Sequence, residues 1–257
     1  SQYVGAAREL YPTHPGFRRR IDAFDVLLRG VWGRSLHSVL YPEPGHSSSI
    51  DQFDYAQPVL FALEYALAEL WMSWAVQPDV LLGHSTGELA AACLAGVFSV
   101  EDGLKLAIHR GRLMHQLPEG GNLAVSTGEA EVREVLAQGG WSCSIAALNG
   151  PENVVVSGPP GELREVASAL GARGLKVRRL NIPRAAHSAM VEAILPEFRA
   201  VAATLTYARP ALPMASGMTG EPITDAICTP DYWCRQLRDP VRFAQGIEHL
   251  YRDGVRV

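Results

Sequence analysis

The stretch VLLGHSTGELAAACLAG, residues Val80 to Gly96, decides how this chain reads. A short apolar run ends at Gly83, a lone serine stands between Gly83 and Gly87, and an alanine-rich apolar segment follows. The order strand, tight turn, helix marks an α/β core with a parallel sheet, because a continuous apolar run ending in Gly is a strand buried on both faces. Ser85 has two readings in that context. It caps a helix in a glycine-rich turn, or it is a nucleophile on a strained elbow. In the second case its Oγ faces a helix N-terminus, and the Thr86 N–H is free to bind a developing oxyanion. Flanking glycines are then expected because larger side chains would collide with sheet and helix.

Outward from the elbow the same alternation continues. DYAQPVLFALEYALAELWMSW carries apolar residues at helical spacing from about Pro58 to Trp74, and QPDVLLG is the strand that delivers the turn. SVEDGLKLAIHRGRLMHQL is a helix with Ser99 as N-cap. Near Gly120 the pattern changes. NLAVST, CSIAALN, NVVVSGP and KVRRLNI read as strands, and EAEVREVLAQ and GELREVASALGARG as helices. That is β-α-β-β-α-β, the ferredoxin-like split motif. HSAMVEAILPEFRAVAATL resumes helix. The expected architecture is α/β: an α/β-hydrolase-like large subdomain with a parallel sheet core over residues 1–119 and 187–257, and an inserted ferredoxin-like small subdomain over 120–186. EPGHSSSIDQ, residues 43–52, reads as a loose surface loop.

With 257 residues and 47% hydrophobic content the chain can bury a sizeable core. A net charge of −4 supports neither a nucleic-acid nor an anionic-membrane surface. The four cysteines form no C-x-x-C pair and have no companion His at zinc spacing, so no metal is expected. There is no signal-peptide pattern and no apolar run long enough to span a bilayer. The expectation is a soluble, cytoplasmic chain.

A serine nucleophile needs a base. Of eight histidines, His84 adjoins Ser85 and braces the elbow; His14, His37, His46, His109 and His115 read as surface residues. His187 falls where the small subdomain rejoins the large one, and domain junctions are where clefts form. Arg110, on the helix after the elbow helix, is either a solvated arginine or one aimed into a cleft, where its fork could hold a carboxylate by two parallel hydrogen bonds.

Five ordered motifs, GHSTGE, HRGRLM, ALNGPENVVVSG, AAHSAMVE and YWCRQLRDPVRF, resemble the acyltransferase domain of modular type I polyketide synthases, in the malonyl-CoA:acyl-carrier-protein transacylase family. The resemblance runs along nearly the whole chain. It implies a ping-pong reaction in which Ser85 takes an acyl group from acyl-CoA and passes it to the phosphopantetheine thiol of an acyl carrier protein. His187 is then general base and later acid, and Arg110 holds a malonyl-type carboxylate. Gln57, His84, Asn149, Arg184, Ala185 and Ala186 line the pocket, and the backbone carbonyl of Gln236 orients His187. No bound cofactor or metal is implied. The implied partners are a carrier protein domain and flanking ketosynthase and other synthase domains, with neither nucleic acid nor membrane.

Two features depart from the family pattern. The chain opens at Ser1-Gln2 without the preceding GQG of a GQGSQ turn, and it stops at DGVRV before the next expected strand, which reads as a fragment of a longer polypeptide. RAAH, residues 184–187, matches neither the HAFH of malonyl-selective members nor the YASH of methylmalonyl-selective ones. DYAQP and Thr86 lean towards malonyl, with methylmalonyl or another branched extender as the alternative. An editing thioesterase or other hydrolase, and an inactive structural domain of a megasynthase, are the rival readings.

Overall fold

A computed structural model describes residues 2–43 and 45–256. Ser1 of the opening Ser1-Gln2 pair, Pro44 of the expected surface loop and Val257 of the terminal DGVRV lie outside it. In chain order the elements are α1 (Leu10–Thr13), α2 (Pro15–Trp32), α3 (Leu36–Leu40), α4 (Phe53–Ser73), β1 (Leu81–Leu82), α5 (Gly87–Leu94) and α6 (Val100–Gln116). β2 (Gly121–Val125), α7 (Glu129–Gly139), β3 (Ser144–Gly150), β4 (Asn153–Gly158), α8 (Pro160–Ala172) and β5 (Val177–Leu180) follow. A 3₁₀ turn (Ala189–Ile194), α9 (Leu195–Ala202), β6 (Met214–Ala215), a second 3₁₀ turn (Asp225–Cys228), α10 (Pro230–Arg238) and α11 (Phe243–Arg252) complete the chain.

The fold is mixed α/β. β1 and β6 pair in parallel, Leu81 opposite Met214 and Leu82 opposite Ala215. This ladder is shorter than the seven-residue run QPDVLLG suggests. Pro78 has no N–H to give to a neighbour and Gly83 begins the turn, so pairing starts at Leu81, whose N–H bonds Pro213 O at 2.9 Å. The second sheet is antiparallel in the order β3-β4-β2-β5, the order of the ferredoxin-like motif. Helices α7 and α8 cover the face bearing Leu123, Val125, Val154 and Val156, which with Val132, Val135, Leu163 and Val166 form a separate apolar cluster. The other face turns towards the helical body. Along it one cross-strand row runs Ala147, Val155, Ala124, Arg178. The backbone at Val241 also pairs with β3, Val241 N to Ala146 O at 2.9 Å and Leu148 N to Val241 O at 2.7 Å, tying the small sheet to the C-terminal part of the chain.

Three local expectations change. The helix α4 begins at Phe53, ahead of the expected start near Pro58, which lies inside it. The segment after His187 is not one helix: a 3₁₀ turn capped by Ser188 precedes α9, whose second residue is Pro196. Proline lacks the N–H and its ring clashes with the carbonyl four residues back, so an α-helix cannot run through it undisturbed. The loop at 43–52 is not wholly superficial, since Ile50 packs into the main core. Ser99 does cap α6, accepting from Asp102 N at 3.1 Å.

Helices α4 and α6 approach closely because two glycines of α6 permit it. A Cβ on Gly111 would stand 2.4 Å from Phe53 O, and one on Gly103 2.8 Å from the Phe61 ring. That contact sets Arg110 of α6 beside Gln57 of α4.

Candidate active site

The turn between β1 and α5 is held by sterics on one side only. A Cβ on Gly83 would lie 2.2 Å from Glu88 N, so no larger residue fits. Ser85 adopts a left-handed backbone, φ 53°, which costs a non-glycine residue roughly 1–3 kcal/mol and persists only where surroundings enforce it. Gly87 differs from the expectation that both glycines avoid collisions. The nearest atom to a Cβ there is Glu64 Oε2 at 3.4 Å, so the second glycine keeps the cleft side of the elbow open. The N–H groups of Gly87, Glu88 and Leu89 return to the carbonyls of His84, Ser85 and Thr86. Among the described residues the Thr86 N–H has no backbone acceptor, and it remains a donor for an incoming oxyanion.

His187 stands 102 residues away in sequence, yet its Nε2 lies 2.7 Å from Ser85 Oγ. It too has a left-handed backbone, φ 56°. The end of α10 holds it: His187 N donates to Leu237 O at 3.2 Å and Nδ1 to Asp239 O at 2.9 Å. A carbonyl can only accept, so Nδ1 carries the proton and Nε2 is left to accept from the serine hydroxyl. Burial, with the Arg110 cation nearby, pushes the imidazole down to about 3. It is therefore neutral at physiological pH, as a base must be. The orienting carbonyl corrects the sequence expectation. Nδ1 donates to the carbonyl of Asp239, the residue after α10, and the Gln236 carbonyl only adds a smaller upward pull on the pKa of the ring. The last carbonyls of a helix have no intrahelical partner, which makes the end of α10 a natural acceptor.

Arg110 is 1% exposed. Its Nη1 donates to Gln57 Oε1 and, at 2.6 Å, to Thr86 Oγ1, while Nη2 donates to Ser85 Oγ at 3.0 Å. Thr86 Oγ1 in turn donates to Gln57 Oε1 at 2.5 Å. The Nε is buried without a partner. Burial lowers the guanidinium to about 10, opposed by Glu88, and it stays a cation at neutral pH. One side of the fork thus braces the elbow. The Nε–Nη2 edge, with one donor unused and the other on the serine oxygen, is left for an anion.

These groups line a cleft of about 500 Å³ between the helical body and the open face of the small sheet. Gln57, Leu60 and Glu64 of α4 form one wall, and Ala147, Val155 and Leu180 the other. Of the residues expected in the pocket, Gln57, His84, Asn149 and Ala186 lie on it. His84 Nε2 meets Asn149 Oδ1 at 2.8 Å across the cleft. Arg184 and Ala185 do not line it. The Arg184 guanidinium donates to Met114 O at 3.1 Å and His115 O at 2.8 Å, closing the end of α6. Ala185 is buried against Gly120, where a Cβ would stand 2.6 Å from Ala185 N.

Beneath the elbow lies a polar cluster that sequence reasoning did not assign. Glu88 is fully buried and accepts from the Tyr232 hydroxyl, from Gly217 N at 3.2 Å and from Gln236 Nε2 at 3.2 Å. Burial pushes its carboxyl up to about 7 against those donors. The one signal for it was an acid embedded in an apolar, alanine-rich helix. Glu64 was also unassigned; its Oε2 is buried without a partner on the cleft wall, and burial raises its carboxyl to about 7. Among the described residues no three His, Cys, Asp or Glu side chains are placed to hold a metal ion, and no helix is long and apolar enough to cross a membrane.

Comparison with known proteins bears on the family and the fold. A family model described as acyl transferase domain matches residues 1–257. The chain is 40% identical over 259 residues to polyketide synthase GfsA of Streptomyces halstedii, covering 99% of the chain and 4% of that protein. It is 41% identical to the spectinabilin polyketide synthase system protein NorB of Streptomyces orinoci, covering 100% of the chain and 12% of that protein. The chain therefore spans a small fraction of the relatives it matches. Its fold superposes on the acyltransferase domain from the second module of the salinomycin polyketide synthase with a TM-score of 0.91 at 41% identity, covering 99% of this chain and 59% of that one. FabD from Acinetobacter baumannii gives a TM-score of 0.89 at 25% identity, covering 100% of this chain and 82% of that one.

Proposed function

The chain belongs to the acyl transferase domain family, and from that premise we propose that it loads a malonyl extender from malonyl-CoA, through an ester on Ser85, onto the phosphopantetheine thiol of an acyl carrier protein. In the first half-reaction His187 Nε2 takes the Ser85 proton as Oγ attacks the thioester carbonyl. The Thr86 N–H meets the oxyanion. Collapse breaks the C–S bond, and the proton on His187 leaves with the CoA thiol. In the second half-reaction His187 deprotonates the carrier thiol, which attacks the ester, and the proton returns to Ser85.

The observation that carries this reading is Arg110 Nη2 at 3.0 Å from Ser85 Oγ, next to a buried Nε without a partner. A cation desolvated beside the nucleophile favours an acyl group with its own carboxylate, and the planar fork suits two parallel hydrogen bonds to it. A simple esterase has no use for such a group. The acceptor on His187 Nδ1 is a peptide carbonyl and no carboxylate, unlike the triads of most hydrolases of related architecture. Malonyl is favoured by the resemblance at Gln57 and Thr86. The small Ala186 on the cleft wall leaves a branched extender such as methylmalonyl as the second reading. Flanking ketosynthase and other synthase domains are the partners this assignment carries with it.

The test is transfer. Purified protein with malonyl-CoA and a carrier protein bearing phosphopantetheine yields a malonyl-carrier adduct by ping-pong kinetics. Malonate released without a carrier at the same rate supports a hydrolase instead.

A further inference from the structure

We propose that the side chain of Gln236 positions the oxyanion donor, acting through the peptide bond between Ser85 and Thr86. The inference rests on the reading of Ser85 as nucleophile and His187 as base. Gln236 is 3% exposed, on α10. Its Nε2 donates to Ser85 O at 2.7 Å and to Glu88 Oε2 at 3.2 Å. The Ser85 carbonyl can only accept, which fixes the amide with its nitrogen towards the elbow.

A trans peptide is planar, with C=O and N–H pointing in opposite directions. The Ser85 carbonyl and the Thr86 N–H belong to one such plane. A hydrogen bond that pulls the carbonyl back towards α10 therefore aims the N–H forward into the cleft. It also polarises the unit, strengthening the donor on the far side. Ser85 O has a second donor, Glu88 N at 3.1 Å, but that bond is part of the turn itself. Gln236 is the group outside the elbow that fixes the plane, while the left-handed φ of Ser85 leaves the plane under strain.

The same helix end fixes His187. Leu237 O, one residue on, accepts from His187 N, and Asp239 O from Nδ1. Gln236, Leu237 and Asp239 thus hold the peptide of the nucleophile, the backbone of the base and the ring of the base on one rigid segment. Glu88 accepts the second amide proton and is itself held by Tyr232 and Gly217, so the amide cannot turn over without leaving a buried carboxylate oxygen unpaired.

The test compares Gln236→Met and Gln236→Glu with the wild type. Maximal acylation rate and half-saturating malonyl-CoA come from the CoA released in single turnovers, with thermal melts alongside. Gln236→Met lowers the maximal rate roughly tenfold or more, approaching the roughly 10²–10³ that loss of an oxyanion donor costs, and leaves half-saturation within twofold. Gln236→Glu places a carboxyl against Glu88, with Tyr232, Arg110 and His187 the other ionisable groups around it. Two buried acids in contact repel when both are ionised, so the second proton is lost only at raised pH and returns, as an O–H donor to Ser85 O, as pH falls. Its rate therefore climbs from pH 8.5 to pH 6 more steeply than that of the wild type, in which Glu88 is the one titrating partner of the amide. Acylation by both variants within twofold of wild type overturns the proposal, as does a pH profile for Gln236→Glu parallel to the wild type. Loss of cooperative melting in both near-isosteric variants assigns Gln236 to the fold alone, also against the proposal. Absence of a Ser85 ester in the wild type defeats the reading beneath it.

Discussion

Arg110 Nη2 lies 3.0 Å from Ser85 Oγ, so the group suited to an anion and the group suited to attack occupy one buried spot. Replacing Arg110 separates the two roles. Arg110→Ala lowers Ser85 acylation by malonyl-CoA roughly 10- to 100-fold, the worth of a hydrogen-bonded charge pair at about 1.5–3 kcal/mol. Uptake of acetyl, which has no carboxylate, falls far less. The ratio of the two adducts in a mixed incubation, read by mass, checks this. An unchanged ratio removes Arg110 from substrate selection.

His187 is neutral down to about pH 3, because burial and the Arg110 cation disfavour its charged form. Between pH 5.5 and pH 8 His187 consequently adds no inflection to the acylation rate near the 6.5 of an ordinary imidazole. The sign for stability follows from proton uptake. The unfolded chain binds a proton at His187 below about 6.5 and the folded chain does not, so this residue makes stability rise with pH between about 3 and 6.5. His187→Gln removes that slope, which urea midpoints at pH 4.5 and 7 record.

Glu88 acts with the opposite sign. Its folded carboxyl is raised to about 7, so between the ordinary carboxylate range and pH 7 the folded chain holds a proton that the unfolded chain has lost. Stability contributed by the protonated form fades as pH rises through that window. The isosteric Glu88→Gln therefore gains on the wild type as pH goes from 4.5 to 8, by up to about 3 kcal/mol. Urea midpoints that fall in parallel for the two proteins contradict it.

The two elbow glycines part company on substitution. Gly83→Ala puts a Cβ 2.2 Å from Glu88 N and lowers the melting temperature sharply, an overpacking cost of about 1–3 kcal/mol or more. Gly87→Ala meets only Glu64 Oε2 at 3.4 Å, keeps the melting temperature, and slows acylation because its methyl projects into the cleft. Equal melts for the two variants run against this account.

The elbow was legible because its chemistry is local: a strand, Gly83, Ser85 and a helix lie within a few residues. The β-α-β-β-α-β order was legible from alternating period alone, and its strand order followed the motif. What sequence could not supply was distance across the fold. His187 was reached by its place at the subdomain junction and by resemblance of motifs, since nothing local links it to Ser85, 102 positions away. The carbonyl facing His187 moved from Gln236 to Asp239 because helix ends shift by a residue or more and only the folded cap shows which acceptor is free. Arg184 and Ala185 resembled pocket residues by adjacency to His187, but their side chains turn to α6 and Gly120. The buried set of Glu88, Tyr232 and Gln236 joins residues up to 148 apart and left almost no local trace.

The central claim is tested most directly by intact-protein mass spectrometry after incubation with an equimolar mixture of malonyl-, methylmalonyl-, ethylmalonyl- and acetyl-CoA. The expected result is one covalent malonyl adduct on the wild-type chain, absent in Ser85→Ala. A chain that keeps its native mass while the CoA thioesters remain intact, or an adduct that survives in Ser85→Ala, contradicts it.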